Sequence, residues 1–348
     1  MTKIAVIGAG IFGCTSAVAL AKSGHDVDMY DPKGIMKAAS YCNQYRVHRG
    51  YHYPRSNETV EYVKECNESF QLEYGNAVVG WGTQHYYGIS ATDSLTTPDQ
   101  YESFMETNGL EFNEVDVNST GCIIPQTISA LYEVKEKSFD VGTLYLSVVN
   151  KLGMSGVNFY TEPYPEHAEY DIVVNATYSN LNTFTPLDQQ FDLQFELCEK
   201  PIVQLPERFR KKSMVVLDGN FCCIDPYGQQ HQVIGHVEHT IHSRQIGKKF
   251  IVPEGYNEVL DIGRIKDFSK SKRTEIMGGI QEFFNLTNDE VHACWSGSMF
   301  TVRTVLPSHE FDDARPTNLI KHSNELYSIF SGKISTCVDV ANKLVKMI

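Results

Sequence analysis

The stretch KIAVIGAGIFGCTSAVALAKSGHDVDMYD (Lys3–Asp31) determines how the amino end of this chain folds. Its first residues, KIAVI, are rich in β-branched side chains and stop at a glycine, which is typical of a buried parallel strand. CTSAVALAKS has a helical composition, and Gly24 after it is a typical C-terminal cap. A second strand, HDVDMY, ends at Asp31, so the stretch predicts a βαβ unit that binds a nucleotide.

The glycines between the first strand and the helix follow a GxGxxG pattern in which each position has a physical reason. Gly8 allows a tight turn, Gly10 lets the backbone approach a pyrophosphate, and Gly13 allows the helix to pack closely on the strands. The helix N-terminus, with Ile11 and Phe12, offers free N–H groups and a positive dipole end to phosphate. The acid that ends the second strand can accept hydrogen bonds from ribose hydroxyls, which disfavours NADP. The pattern does not separate FAD from NAD.

Composition and charge limit the classes of function. The 348 residues carry a formal net charge of −13. This charge repels phosphate backbones and anionic lipid, so direct binding to nucleic acid or to a membrane surface is not expected. The nine cysteines form no CxxC pair, which argues against a disulfide framework or a zinc site and favours reduced thiols in the cytoplasm. We expect neither a signal peptide nor a transmembrane helix.

A second motif follows the βαβ unit. Ser40, Asn43 and Gln44 match an S-x-x-N-x segment, and VHRGYHY (Val47–Tyr53) is similar to an IHGGLRY pattern that faces a flavin ring. On these residues the chain resembles the D-amino-acid-oxidase-like superfamily of FAD oxidoreductases, which includes glycine and sarcosine oxidases and glycerol-3-phosphate dehydrogenases. The resemblance implies that the first segment wraps the pyrophosphate and flavin of FAD.

Two later segments support the same resemblance. YDIVVNAT (Tyr170–Thr177) resembles the strand that returns to the nucleotide domain, which would place Ala176 and Thr177 near the cofactor. IFSGKISTCVDVANKL (Ile329–Leu344) is similar to the loop and helix that close over the flavin pyrimidine. The loop residues that would bind the cofactor there are Gly332, Lys333, Ile334, Ser335 and Thr336.

The resemblance also implies a set of catalytic side chains. WSGSMFTVRTVLP (Trp295–Pro307) resembles a segment that supplies a substrate-binding arginine, here Arg303, and ARPT follows at 314–317. His48 or His52 would take a proton, because histidine titrates near neutral pH. Tyr53 would hold the substrate, Arg303 would pair with a carboxylate, and Lys333 would favour an anionic reduced flavin. The alternatives are buried hydrogen-bonding groups for the two histidines, a core or interface residue for Tyr53, a structural ion pair for Arg303 and a solvent-exposed side chain for Lys333.

The spacing of these segments predicts an α/β protein with two domains. A discontinuous Rossmann-like FAD-binding domain would comprise residues 1–80, 136–186 and 291–348. A second, mainly antiparallel β substrate domain would comprise residues 81–135 and 187–290, where alternating runs such as FDLQFELCEKPIVQL are typical of strands. Substrate would bind where the domains meet, near the carboxyl ends of the parallel strands.

One group of histidines has a three-residue spacing that suggests a metal site. HQVIGHVEHTIH holds His231, His236, His239 and His242. A strand would scatter these side chains over both faces, and flavin chemistry needs no metal, so none is expected.

FAD is expected to bind non-covalently.

Three classes of function stay open. The leading hypothesis is oxidation of the C–N bond of an amino-acid-like or amine substrate to an imine, by hydride transfer to flavin N5, and Arg303 supports it. The alternative is a dehydrogenase of a C–O bond in a hydroxy acid or polyol phosphate. VHRGYHY and SGKIST favour that branch, whereas His52 stands where the branch has an arginine. A flavin-binding protein without catalysis is the third class. Whether oxygen or another acceptor is used, and whether the substrate is a small molecule or part of a conjugate, also stay open.

Overall fold

The computed structural model of the protein describes residues 1–80, 82–165, 167–307 and 316–348. Its amino-terminal unit consists of strand β1 (Lys3–Ile7), helix α1 (Ile11–Lys22) and strand β2 (Asp26–Tyr30). β1 and β2 pair in parallel, and the β1 side chains after Lys3 are buried, as expected for a parallel strand that is covered on both faces. The predicted βαβ unit is confirmed.

The remaining elements are numbered in chain order. The other strands are β3 (Arg46–Val47), β4 (Val78–Val79), β5 (Gln84–Ser90), β6 (Phe112–Glu114), β7 (Ile128–Val134), β8 (Lys137–Phe139), β9 (Asn158–Tyr160), β10 (Ile172–Asn175), β11 (Leu193–Val203), β12 (Lys212–Leu217), β13 (Cys222–Tyr227), β14 (His231–His236), β15 (Ile241–Gly247), β16 (Trp295–Val305), β17 (Asn318–Lys321) and β18 (Leu326–Phe330). The other helices are α2 (Asn57–Tyr74), α3 (Pro98–Thr107), α4 (Val141–Ser155), α5 (Arg273–Gln281), α6 (Asn288–Cys294) and α7 (Cys337–Met347). No helix in the described ranges is long and apolar enough to cross a membrane.

A six-stranded sheet is built from three separate parts of the chain. Its strands lie in the order β17-β18-β10-β1-β2-β9, and every pair is parallel except β17–β18. Helix α1 packs against α4 and α7. Val6, Val174 and Leu344 contribute to the apolar core between these layers. These strands and helices therefore form a mostly parallel α/β layer structure, in agreement with the predicted fold class.

A second sheet is larger and mainly antiparallel, as predicted. Its strands follow the order β15-β11-β14-β13-β12-β5-β7-β6, with β16 also paired to β11, and only the β5–β12 pair is parallel. The predicted domain boundary at residue 291 lies before β16, although β16 pairs with β11 in this sheet. The division into domains stays a prediction.

A small antiparallel sheet of β3, β8 and β4 lies next to the segment that carries the predicted catalytic residues His48, His52 and Tyr53. It is tied to the larger sheet by Arg46 of β3, which forms a bidentate ion pair with Asp225 of β13. The two side chains are 3% and 0% exposed. Because β3 leads directly into the segment that begins at His48, this buried ion pair helps to fix where that segment lies.

Candidate functional site

The glycine turn after β1 leaves no room for side chains. Gly8 has φ of +100°, and a Cβ on it would lie 2.6 Å from the carbonyl oxygen of Ala176. A Cβ on Gly13 would lie 1.8 Å from the carbonyl oxygen of Gly8. The turn, the first turn of α1 and the end of β10 are therefore in direct contact, which brings Ala176 to the predicted cofactor site.

The amino end of α1 is open to an anion. Its N-cap is Gly10, which has no side chain, and the first turn of the helix contains no acidic residue. Ser40 reaches this point from the second motif, and its Oγ accepts a hydrogen bond of 2.9 Å from the backbone N–H of Ile11. The second motif thus lies beside the helix N-terminus, as the resemblance implies, and the helix dipole favours a phosphate there.

Asp31 holds the turn from the other side. One carboxylate oxygen accepts a hydrogen bond from the N–H of Ala9 at 2.8 Å, and the other accepts one from the N–H of Lys33 at 2.9 Å. Each carboxylate oxygen can accept more than one hydrogen bond, so Asp31 retains capacity for a ribose hydroxyl.

Asn43 and Gln44 have different surroundings. Asn43 stabilises its own turn, because its Oδ1 accepts a hydrogen bond from the N–H of Tyr45 at 2.7 Å. The Gln44 amide donates to the Sγ atom of Cys223 on β13, at 3.1 Å. Within the described residues, the buried Gln44 Oε1 has no hydrogen-bond partner. A buried acceptor without a partner is costly, and a donor group on a bound ligand would satisfy it.

The predicted carboxyl-terminal loop lies between β18 and α7. The hydroxyl of Thr336 donates to the carbonyl oxygen of Lys333 at 2.8 Å, and both Ser335 and Thr336 are buried. The loop is thereby closed on itself. Just after the neighbouring strand β10, the Thr177 hydroxyl donates to Asn175 Oδ1 at 2.7 Å.

Four of the five predicted catalytic side chains come together. The ring centroids of His48 and His52 are 5.2 Å apart, and that of Tyr53 lies 5.3 Å from His48. The ammonium group of Lys333 contacts the Tyr53 hydroxyl and lies 4.2 Å from the centroid of its ring. Burial, followed by the nearby charges of Lys333 and Arg46, lowers the pKa of His48 well below its ordinary value. His48 is therefore a neutral imidazole at neutral pH.

Glu136, between β7 and β8, belongs to this cluster and was not predicted from the sequence. Its Oε2 lies 3.3 Å from His48 Nδ1 and accepts a hydrogen bond from the Tyr87 hydroxyl at 3.1 Å. Its Oε1 accepts one from the N–H of Arg49 at 2.6 Å. Burial raises the pKa of Glu136 to about 7. The sequence carries no signal for this contact, because Glu136 and His48 are 88 residues apart.

Arg303 has a different neighbourhood. It lies on β16 opposite Glu196 of β11, and its Nε is 2.8 Å from Glu196 Oε2. Arg244 of β15 lies 3.0 Å from the other oxygen of the same carboxylate. Glu196 is fully buried, whereas the side chain of Arg303 is 45% exposed. Arg303 therefore takes part in an ion-pair network across three strands. Arg315, in the ARPT segment, lies outside the described residues.

The histidines of the second sheet have separate partners. His236 stacks on His239 with centroids 4.2 Å apart, and His242 lies between Glu199 and Tyr256 at 2.9 and 2.8 Å. Over the described ranges, no group of three or more potential metal ligands comes together.

A family of FAD-dependent oxidoreductases, designated DAO, matches residues 3–327 of the sequence. The chain belongs to this DAO family. FAD is therefore its cofactor, and the protein is an enzyme that carries out oxidation and reduction. The predicted superfamily, cofactor and enzyme class are confirmed.

Among known proteins, this DAO-family oxidoreductase is similar to the FAD-dependent monooxygenase kojA of Aspergillus flavus. The two are 24% identical over 383 aligned residues, which cover 99% of this chain and 85% of that protein. Glycine oxidase from Geobacillus kaustophilus has a TM-score of 0.71 at 12% identity, with 100% of this chain and 95% of that chain covered. L-alpha-glycerophosphate oxidase from Mycoplasma pneumoniae has a TM-score of 0.73 at 10% identity, with the same coverage. At these identities the structures support the fold alone.

The residues of the DAO-family site fit FAD. The turn at Gly8 and Gly10 brings bare backbone to the α1 N-terminus, where the pyrophosphate would be held. Asp31 would hold the ribose. The buried Gln44 Oε1 would accept a hydrogen bond from a donor of the cofactor.

Proposed function

We propose that the protein oxidises a carbon that bears a hydroxyl group to a carbonyl, with FAD as the hydride acceptor and His48 as the base. The observation that carries this proposal is the cluster of His48, His52, Tyr53 and Lys333. The cluster combines a neutral imidazole, which accepts a proton, with a cationic ammonium group.

The chemistry of such an oxidation divides between the cofactor and the chain. FAD, when bound, supplies the acceptor for the hydride that leaves the C–H bond. His48 takes the hydroxyl proton, and the electron pair of the broken O–H bond forms the second bond between carbon and oxygen. A base is needed because a hydroxyl group is a poor acid, and a positioned base typically contributes a factor of about 10² to 10⁴.

Lys333 and Tyr53 would support this step electrostatically. The Lys333 ammonium group contacts the Tyr53 hydroxyl, and its charge acts on His48 to keep the imidazole neutral. A fixed positive charge also stabilises negative charge that develops on the substrate oxygen as its proton leaves. Tyr53, which is 2% exposed, would hold the substrate by its hydroxyl.

Oxidation of an amine or amino acid is the second candidate. The half-exposed Arg303 favours it, because an arginine can bind a substrate carboxylate with two parallel hydrogen bonds. We rank it second because Arg303 already pairs with the buried carboxylate of Glu196. The sequence alone led to the opposite order.

Anaerobic mixing tests the proposal. The purified FAD-loaded protein is mixed with two panels, hydroxy acids and polyols in one, amino acids and N-methyl amines in the other, while the flavin visible band is followed. Bleaching by a hydroxyl compound supports the proposal, and bleaching by amines alone contradicts it. Bleaching by NADH or NADPH alone also contradicts it and indicates a monooxygenase, the activity named for kojA.

A further inference from the structure

We infer that Glu136 is a positioning residue that holds the Nδ1 proton of His48 and so leaves Nε2 as the atom that accepts the substrate proton. This inference rests on the proposed function for its kinetic consequence. The contact itself stands on geometry and can be tested without substrate.

The carboxylate of Glu136 is held rigidly beside His48. Glu136 lies in the two-residue connection between β7 and β8, and its side chain is fully buried. The N–H of Arg49 donates to Oε1 at 2.6 Å, and this N–H belongs to the residue that follows His48. A short charge-assisted bond from the backbone ties the carboxylate to the same segment that carries the imidazole.

The position of Glu136 also determines the tautomer of His48. Glu136 Oε2 accepts from the Tyr87 hydroxyl at 3.1 Å and lies 3.3 Å from His48 Nδ1. An ionised carboxylate only accepts hydrogen bonds, so a neutral His48 next to it must carry its proton on Nδ1. The lone pair then resides on Nε2. Which nitrogen of a histidine carries the proton is generally set by the partner of the other nitrogen.

The negative charge of Glu136 favours the protonated form of His48. When His48 takes a proton, it becomes a cation in a buried site close to Lys333, which opposes the charge. An adjacent carboxylate offsets that cost, because opposite charges at close range favour the charged form. Without Glu136, the same burial that keeps His48 neutral at rest would also oppose its work as a base.

The surroundings of Glu136 determine when it is ionised. Among the described residues, the titratable and charged groups that face it include His48, Arg49 and Tyr51 from the segment after β3, Arg46 from β3, His85 and Tyr87 from β5, and Tyr101 from α3. Burial raises the pKa of Glu136 to about 7, and His85, the Arg49 N–H and Arg46 act in the opposite direction. Glu136 therefore becomes ionised as the pH rises through neutrality, and the rate of flavin reduction should rise with it.

The first test reads the tautomer directly. FAD-loaded protein labelled with ¹⁵N-histidine is examined by long-range ¹H–¹⁵N correlation without substrate, at a pH above the raised pKa of Glu136 where its carboxylate is ionised. The H48N variant identifies the His48 signals. The inference predicts a proton on Nδ1 in the wild type and a mixed or reversed tautomer in E136Q, whose amide can also donate. A wild-type His48 with its proton on Nε2, or a tautomer unchanged in folded E136Q, would overturn it. The wild-type result stands even if E136Q does not fold.

The second test is kinetic and uses whichever compound bleaches the flavin. We expect E136Q to reduce its flavin at least roughly tenfold more slowly than the wild type and to lose the rise through pH 7. E136D, which keeps the charge, should restore part of the rate. The matched control is E199Q, because Glu199 is also buried against a histidine, His242, at 2.9 Å. It should leave the His48 tautomer and the pH profile unchanged. An E136Q profile that matches the wild type would overturn the inference, whereas failure of every hydroxyl compound would contradict the proposed function and leave the tautomer test decisive.

Discussion

At the scale of single residues, Arg46 and Asp225 form an ion pair whose loss should be expensive. Their side chains are 3% and 0% exposed. Replacing Arg46 by methionine leaves Asp225 buried without its cation, so R46M should lower the free energy of unfolding by about 3–5 kcal/mol. The control is R210M, because the Arg210–Glu207 pair is 41% and 79% exposed and such pairs contribute up to about 1 kcal/mol. Urea unfolding measures both, and a loss in R46M no larger than that in R210M would contradict the argument.

The buried carboxyl group of Glu136 should also affect how stability depends on pH. Its pKa is raised from 4.5 to about 7 by burial, so the folded state holds a proton that the unfolded state releases, and stability falls as the pH rises between these values. E136Q has no charge to bury. We therefore expect E136Q to gain about 3 kcal/mol relative to the wild type between pH 5 and pH 8. Urea unfolding at both pH values measures this gain, and a difference that is independent of pH would disprove it.

At the scale of elements, two helical glycines differ in the space that a Cβ atom would have. A Cβ on Gly13 of α1 would lie 1.8 Å from the carbonyl oxygen of Gly8, whereas one on Gly153 of α4 would meet nothing within 4 Å. G13A should therefore force the turn apart and yield protein with little FAD. G153A should keep its FAD and gain up to about 1 kcal/mol, because alanine is a better helix former. The ratio of flavin to protein absorbance and the melting temperature test both variants, and a G13A protein with full FAD would contradict the account.

The elements also show what a sequence can and cannot predict. The β1–α1–β2 unit was predictable because its glycines, helix and acid are adjacent in the chain and each has a local physical reason. Arg46 pairs with Asp225, 179 residues away in the sequence, and Glu136 lies 88 residues from His48, so no local pattern indicates either contact. Arg303 was identified by its segment, but its Glu196 partner depends on the pairing of β11 with β16. Its carboxylate-binding role was inferred from that segment alone and stays a prediction.

At the scale of the whole molecule, a bound cofactor should stabilise the complete fold. The strands of the six-stranded sheet come from three distant parts of the chain. FAD bound at the carboxyl ends of β1 and β10 would therefore hold these parts together. Acid precipitation should release the flavin into the supernatant if it is bound non-covalently. Re-added FAD at a hundredfold excess over its Kd should then stabilise the apoprotein by about 2.7 kcal/mol, while NAD should not. Flavin that remains on the precipitated chain would show a covalent link instead.

The most direct test of the central claim is the anaerobic rate of flavin reduction in wild type and H48N. Both proteins are mixed with the hydroxyl compound that bleaches the wild type, and H292N, which changes an exposed histidine on α6, serves as the control. We expect H48N to keep its FAD and its visible spectrum but to be reduced at least about a hundredfold more slowly, whereas H292N should behave as the wild type. An H48N protein that keeps its FAD and is reduced at the wild-type rate would contradict the claim that His48 is the base.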